Sequence, residues 1–245
     1  MPAALALLAA LLLAGAPAQG RDEPAPPADS FRPDPAWKPL GNAIWFDPAA
    51  KKLILRARVS LTEGPLEHLL CRKGTKEHEA ILSTEAPPRT IHAGLLLTGA
   101  TPDHPVRFDP KYEPPAGTPL AIELEWEDGG KAHRIDAREW IKDQANGKGL
   151  DRDWVFAGSE LFQDPQTKAM LYAADDGDLI TVANFPSSII DLPFRSSAND
   201  ADRAFVAFTE RIPPRGTPVT MTFRPRAAAK AATPKPAAPK PAPAR

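Results

Sequence analysis

The chain has 245 residues, among them 30 prolines and a single cysteine, and its formal net charge at pH 7 is −1. The single cysteine excludes an internal disulfide. Residues 224–245 carry six basic residues and no acidic one, so the rest of the chain has a formal charge near −7, and this acidic character argues against a protein that binds nucleic acid. The length is sufficient for one domain with a sizeable core.

Residues 1–18 predict a secretory signal peptide. An apolar stretch runs to Leu13, and Ala16 and Ala18 follow with the small-x-small spacing that a signal peptidase accepts. We expect cleavage before Gln19 and a mature protein outside the cytoplasm, either periplasmic or secreted. No Lys or Arg precedes the stretch, so an uncleaved membrane anchor is the competing interpretation. The stretch is, however, shorter than the roughly 20 residues that cross a bilayer, and no transmembrane span is expected in the mature chain.

Residues 19–36 are rich in proline and predict a disordered linker, and residues 37–225 are expected to fold as one domain. Within this domain, residues 120–126 alternate apolar and polar side chains. A Gly129-Gly130 turn then leads into residues 132–136, and this pattern predicts a β-hairpin.

Further strand patterns occur at residues 42–46 and 52–59, and helical patterns occur at residues 90–97 and 137–142. Strands and helices do not alternate regularly, so no parallel sheet with crossover helices is indicated. The expected fold class is α+β, mainly antiparallel β-sheet with one to three short helices.

The longest motif of the domain covers residues 66–82, and a second follows as Ile91-His-Ala-Gly-Leu-Leu-Leu97. Together they resemble the core signature of the YdjY domain family of bacterial proteins. Shorter matches at residues 154–159, 177–180 and 191–193 extend the resemblance over most of the domain. What the resemblance implies is an exported protein without an assigned reaction, because the family has no established activity.

Metal-ligating side chains are concentrated at Cys71, His78, Glu79 and His92. Thiolate and imidazole suit zinc or copper, and a carboxylate can complete three protein ligands with one position left open. We therefore predict a metal site at these four residues. Alternatively, the histidines are hydrogen-bonded structural residues and Cys71 is a small buried hydrophobe. An iron–sulfur cluster is not expected, because such clusters need several thiolates.

A second hypothesis makes Cys71 a nucleophile with His78 or His92 as its base, in a metal- or Cys-dependent envelope enzyme of hydrolase type. A lone accessible thiol is vulnerable to oxidation outside the cytoplasm, which weakens this hypothesis. If residues 77–82 form a strand, His78 and Glu79 point to opposite faces.

Three other motifs have simpler interpretations. Asp175-Asp176-Gly177-Asp178 lacks the ligand spacing of a calcium loop and predicts a turn. The large apolar areas of Trp126, Trp140 and Trp154 predict core residues, and a groove for sugar rings is the alternative. No phosphate-cradling loop or dinucleotide fingerprint is present in the sequence.

Residues 226–245 predict a disordered tail of Ala, Lys, Arg and Pro, in which every charged residue is basic. Such a tail could bind an anionic surface, or it is only a solvated spacer. The sequence as a whole favours an extracytoplasmic binding or interaction module with an envelope component as its partner. The alternatives are the envelope enzyme and a scaffold tethered by the basic tail.

Overall fold

The computed structural model describes residues 29–197, 199 and 204–226. The predicted signal peptide, residues 19–28 of the predicted linker and residues 227–245 of the predicted tail lie outside the described residues. No helix in the described part of the chain is both long and apolar enough to cross a membrane.

Residues 29–36 fall within the predicted linker but contact the domain. The ring centroid of Phe31 lies 5.2 Å from that of Trp45, and Asp29 Oδ1 accepts a hydrogen bond of 2.5 Å from Arg56. The contacts of the domain therefore begin before residue 37.

The structure has one α-helix in its described part, α1 (Pro88–Leu97), together with 3-10 turns at Ala137–Trp140, Ala173–Asp176 and Thr209–Arg211. The strands β1 to β17, in chain order, are Lys38–Gly41, Ile44–Asp47, Lys52–Val59, His68–Arg72, Ala80–Thr84, Pro102–His104, Ala116–Gly117, Pro119–Asp128, Lys131–Asp136, Ile141–Asp143, Trp154–Phe156, Leu161–Gln163, Met170–Tyr172, Asp178–Thr181, Ile190–Asp191, Phe205–Ala207 and Pro218–Pro225.

Eight of these strands close into a barrel in the order β3-β17-β8-β11-β15-β14-β4-β5, and β5 then pairs with β3. The pairs β14–β15 and β4–β5 are parallel, and the other six are antiparallel. Alternate side chains fill the core: Met221 lies opposite both Leu55 and Leu124, and all three are fully buried. Because the barrel is closed, each of its eight strands pairs with a neighbour on both sides, and the barrel wall has no free edge.

The prediction of an α+β fold is wrong, because the domain is a mostly β structure built on a closed barrel with a single α-helix in its described part. The predicted helix at residues 137–142 is a 3-10 turn followed by β10, in which Ile141 pairs with Ala207 of β16. The pattern of apolar residues along the sequence reflects local secondary structure, whereas the β3–β5 pairing that closes the barrel depends on contacts between segments that are not neighbours in the sequence.

Several local predictions are confirmed. The hairpin forms from β8 and β9, and Gly129 and Gly130 both have positive φ, as a tight hairpin turn requires. Trp140 and Trp154 are fully buried core residues, which supports the core interpretation for these two indoles.

The turn between β4 and β5, residues 73–79, packs against Gly177 at the start of β14. Gly177 has a φ of +117°, and a Cβ atom added there would lie 2.9 Å from Cβ of Thr75. Thr75 is held in place because its hydroxyl donates to the carbonyl of Arg72. Glycine at 177 therefore allows this turn and β14 to approach each other.

We predict that Gly177→Ala lowers the free energy of unfolding by about 3 kcal/mol, since it adds backbone strain and a steric collision. Gly74→Ala is the matched control, because Gly74 also has positive φ but has open space around it; it should cost about 1 kcal/mol. Denaturant unfolding of both variants measures the difference. Equal losses would contradict the close packing.

Candidate metal centre

The site lies where the parallel strands β4 and β5 begin. The carbonyl oxygen of Glu79, just before β5, accepts hydrogen bonds from the backbone N–H groups of both Glu67 (3.2 Å) and His68 (3.1 Å). The bond from His68 is the regular one of the parallel pair, in which His68 lies opposite Ala80, whereas Glu67 lies in a bend before β4. Because Glu67 is not part of the strand, the alternation of side chains along β4 does not force it away from the side chain of His68.

Glu67, His68 and Glu79 form a compact group of potential ligands. One ligand atom from each lies within 4.8 Å of the other two, and within residues 29–197, 199 and 204–226 this is the one group of three or more such side chains. His68 is fully buried, Glu67 is 9% exposed and the side chain of Glu79 is 16% exposed. The group is therefore part of the barrel wall rather than a solvated surface cluster.

His68 has one ring nitrogen paired and one without a partner. Nε2 lies 2.8 Å from Asp178 Oδ1, whereas the buried Nδ1 has no hydrogen-bond partner. The ring also stacks on Phe185, with 5.5 Å between centroids. A proton on Nδ1 would have no acceptor, so the tautomer that fits carries its proton on Nε2 and donates it to Asp178. The lone pair on Nδ1 is then available to a cation.

Asp178 is held as a carboxylate by its surroundings. Burial by itself raises the pKa of Asp178, but hydrogen bonds from His68, Ser187 and Lys76 outweigh burial, and the net pKa lies well below the usual range. Ser187 donates its hydroxyl to Oδ2, so both oxygens are occupied. Asp178 thereby fixes the orientation of the His68 ring.

Lys76 supplies the cation of this cluster. Its Nζ lies 3.0 Å from Asp178 Oδ1. Burial lowers the pKa of Lys76, but the hydrogen bond to Asp178 and the negative charges of Asp178, Glu79 and Glu67 outweigh it and raise the pKa overall. Lys76 therefore lies among the carboxylates of Asp178, Glu79 and Glu67.

The four ligands predicted from the sequence are separated by the fold. Glu79 belongs to the group, and His78 borders it, because His78 Nε2 lies 3.8 Å from Glu79 Oε1. Residues 77–79 form a turn rather than a strand, so the expected separation of His78 from Glu79 does not occur. In the part of the chain that the structure describes, Cys71 and His92 belong to no group of three potential ligands.

Cys71 and His92 have environments unlike that of the group. Cys71 is fully buried in β4, and burial raises the pKa of its thiol to about 11, so the thiolate needed for metal binding or attack is scarce at neutral pH. The imidazole of His92 is paired through Nδ1 with the hydroxyl of Tyr172 at 2.8 Å, and burial lowers its pKa. These contacts do not test the hypothesis that Cys71 is a nucleophile with His78 or His92 as its base, and that hypothesis stays a prediction.

Sequence reasoning missed Glu67, His68 and Asp178. Glu67 and His68 lie inside the long motif at residues 66–82, and their adjacency was the available signal. Asp178 was assigned to a turn together with Asp175, and the turn does form at Ala173–Asp176. Asp178 itself begins β14, so its carboxylate serves the site and not the turn.

A second polar cluster lies on β14 and β15 around Asp191, which is fully buried. Asp191 Oδ1 accepts hydrogen bonds from Thr181 (2.9 Å), Asn184 (3.2 Å) and the Leu192 backbone (2.7 Å). Oδ2 is buried without a partner. Burial raises the pKa of Asp191 to about 7 against the lowering effect of these hydrogen bonds, so the cluster is a structural network with a titratable centre.

We predict that Asp191→Asn changes how stability depends on pH. The pKa of Asp191 is about 7 in the folded state and about 4 in the unfolded chain. Between these pH values the unfolded chain releases the proton whereas the folded protein keeps it, so the free energy of unfolding falls as pH rises. Asparagine keeps the accepting Oδ1 and cannot ionise. The difference in unfolding free energy between variant and wild type should therefore grow across this window, by about 3 kcal/mol. Denaturant unfolding at several pH values measures this difference, and a constant difference would contradict the assignment.

Comparison with known proteins places most of the chain in a family. The model of the YdjY domain matches residues 44–224, which confirms the resemblance seen in the sequence and falls inside the predicted domain at 37–225. No curated protein matches the chain. No solved structure matches it either.

Proposed function

We propose that this chain, which belongs to the YdjY domain family, is an extracytoplasmic binding module that holds one divalent transition-metal ion at Glu67, His68 and Glu79. The observation that carries the proposal is the unpartnered Nδ1 of the buried His68, in a ring that has one of its two nitrogens within 4.8 Å of a carboxylate oxygen of both Glu67 and Glu79. A buried imidazole nitrogen without a partner is costly unless something binds it.

The ligand set favours zinc over copper. One imidazole and two carboxylates are ligands that zinc accepts with bonds of about 2.0–2.2 Å, and the group includes no thiolate of the kind that would select Cu(I). The pairing of His68 with Asp178 matches the carboxylate–histidine–zinc arrangement, in which the second ring nitrogen donates to an outer carboxylate.

The cluster charge supports the same proposal. The carboxylates of Glu67, Glu79 and Asp178 lie near the Lys76 ammonium, and the site is largely removed from solvent. Like charges are expensive to hold together where the dielectric constant is low. A divalent ion would reduce the repulsion between the carboxylates and stabilise the junction of β4, β5 and β14.

We predict that the purified protein binds one zinc ion per chain, measured by elemental mass spectrometry after zinc loading and by titration calorimetry. Glu67→Gln and Glu79→Gln preserve side-chain size but remove an anionic ligand, and each should weaken binding by at least about 100-fold. Asp178→Asn should weaken it by about 10- to 100-fold, because the outer partner of His68 loses its charge.

Glu85→Gln is the matched control for these variants. Glu85 is an exposed carboxylate that pairs with Lys73 outside the ligand group, so its loss should leave the zinc affinity unchanged. Wild-type protein that takes up no stoichiometric zinc, cobalt or manganese would overturn the proposal. Circular dichroism of each variant separates the loss of a ligand from the loss of the fold.

The extracytoplasmic location is part of the proposal and is supported by the apolar stretch and the Ala16-x-Ala18 pattern of the sequence. We expect protein expressed with its full N-terminus in a bacterial host to be recovered outside the cytoplasm with Gln19 as its first residue. Intact-mass measurement of the periplasmic fraction checks this. Recovery of the uncleaved chain in the cytoplasm would contradict it.

A further inference from the structure

The exposed imidazole of His78 stands beside the buried ligand group. Its Nε2 lies 3.8 Å from Glu79 Oε1, and its side chain is 76% exposed whereas that of Glu79 is 16% exposed. Solvent on most sides leaves the ring free to rotate at little cost, because it gives up few packing contacts by moving.

The backbone that carries His78 is fixed by local hydrogen bonds. The Glu79 N–H donates to the Lys76 carbonyl at 3.2 Å, the Gly74 N–H donates to Glu77 Oε1 at 2.5 Å, and the Thr75 hydroxyl donates to the Arg72 carbonyl. The turn therefore keeps the Cα atom of His78 in place, and rotation of its side chain is the movement that remains.

The distance between Nε2 of His78 and Oε1 of Glu79 is close to the distance between two ligand atoms bound to one metal ion. With metal–ligand bonds of about 2.0–2.1 Å, ligand atoms around a tetrahedral zinc lie about 3.3 Å apart. The separation of 3.8 Å between Nε2 of His78 and Oε1 of Glu79 differs from this value by about half an ångström. His78 itself lies outside the group whose ligand atoms are within 4.8 Å of one another, so its ring must rotate toward Glu67 and His68 to share an ion with them.

The other side chains near the group are poor candidates for a fourth ligand. The Lys76 ammonium is protonated and engaged with Asp178, and a protonated amine has no lone pair to offer. The Cys71 thiol is buried, and its pKa is raised to about 11. The Ser187 hydroxyl donates to Asp178.

We infer that His78 is the fourth protein ligand of this site and closes it into a tetrahedral set of two imidazoles and two carboxylates, the type of site that takes zinc. This inference rests on the proposed metal site at Glu67, His68 and Glu79. Four protein ligands leave no open position for an activated water, so the ion is held for structure, storage or delivery rather than for hydrolysis.

The position of His78 also defines a route for the ion. His68 and Glu67 are buried, and His78 lies on the solvent side of Glu79. The ion would enter past His78, and the ring would then rotate onto it. Release would reverse these steps, with His78 as the first ligand to leave.

The test uses cobalt(II) in the full mature protein, because four-coordinate cobalt absorbs visible light intensely and six-coordinate cobalt absorbs weakly. Wild type should give the intense spectrum, and His78→Ala, in which water replaces the imidazole, should bind cobalt with a weaker spectrum at shifted wavelengths. His78→Asp, which restores a ligand of another type, should recover the intensity at a shifted wavelength. Zinc affinity of His78→Ala, measured by competition with a chelator, should fall about 10- to 100-fold.

His104→Ala is the control, because His104 lies on β6 and contacts the Pro105 carbonyl outside the ligand group; both spectrum and affinity should stay unchanged. Cobalt binding with the same spectrum in wild type and His78→Ala, or a weak spectrum in wild type, would overturn the inference about His78 alone. Absence of any binding in wild type would overturn the proposed metal site as well.

Discussion

His68 is a fully buried imidazole in the wall of the barrel, and its two ring nitrogens have different surroundings. Nε2 lies 2.8 Å from Asp178, which joins β4 to β14, and Nδ1 has no partner. The hydrogen bond between Nε2 and Asp178 fixes the orientation of the imidazole ring, so the direction in which Nδ1 points is fixed as well. The geometry of the candidate site follows from this one hydrogen bond.

The closed barrel supplies the positions that this contact requires. Pairing of β4 with both β5 and β14 sets His68, Glu79 and Asp178 in one region although they are far apart along the chain. The bend at Glu67, just before β4, brings its side chain close to that of His68. Glycine at 177 lets the turn that carries Lys76 lie against β14. These features together exclude water from most of the group and raise the strength of its electrostatic interactions.

The sequence predicted those parts of the fold that depend on local chemistry. The Gly129-Gly130 hairpin was found because its turn requires residues that tolerate positive φ. The closed barrel was missed, since the β3–β5 pairing leaves no local pattern. Glu79 and His78 were predicted as site residues, whereas Glu67 and His68 were not, because only the pairing of β4 with β5 brings them to Glu79. Cys71 and His92 were grouped with them by proximity in the sequence, and the fold places neither in the ligand group.

The central claim is that a metal ion binds between Glu67, His68 and Glu79. Crystals of the protein grown with zinc, with diffraction data recorded on both sides of the zinc absorption edge, locate the ion directly. We expect one strong anomalous peak about 2.0–2.2 Å from Nδ1 of His68 and from an oxygen of each glutamate. A peak at Cys71 or His92 instead, or no peak at His68 in fully loaded crystals, would contradict it.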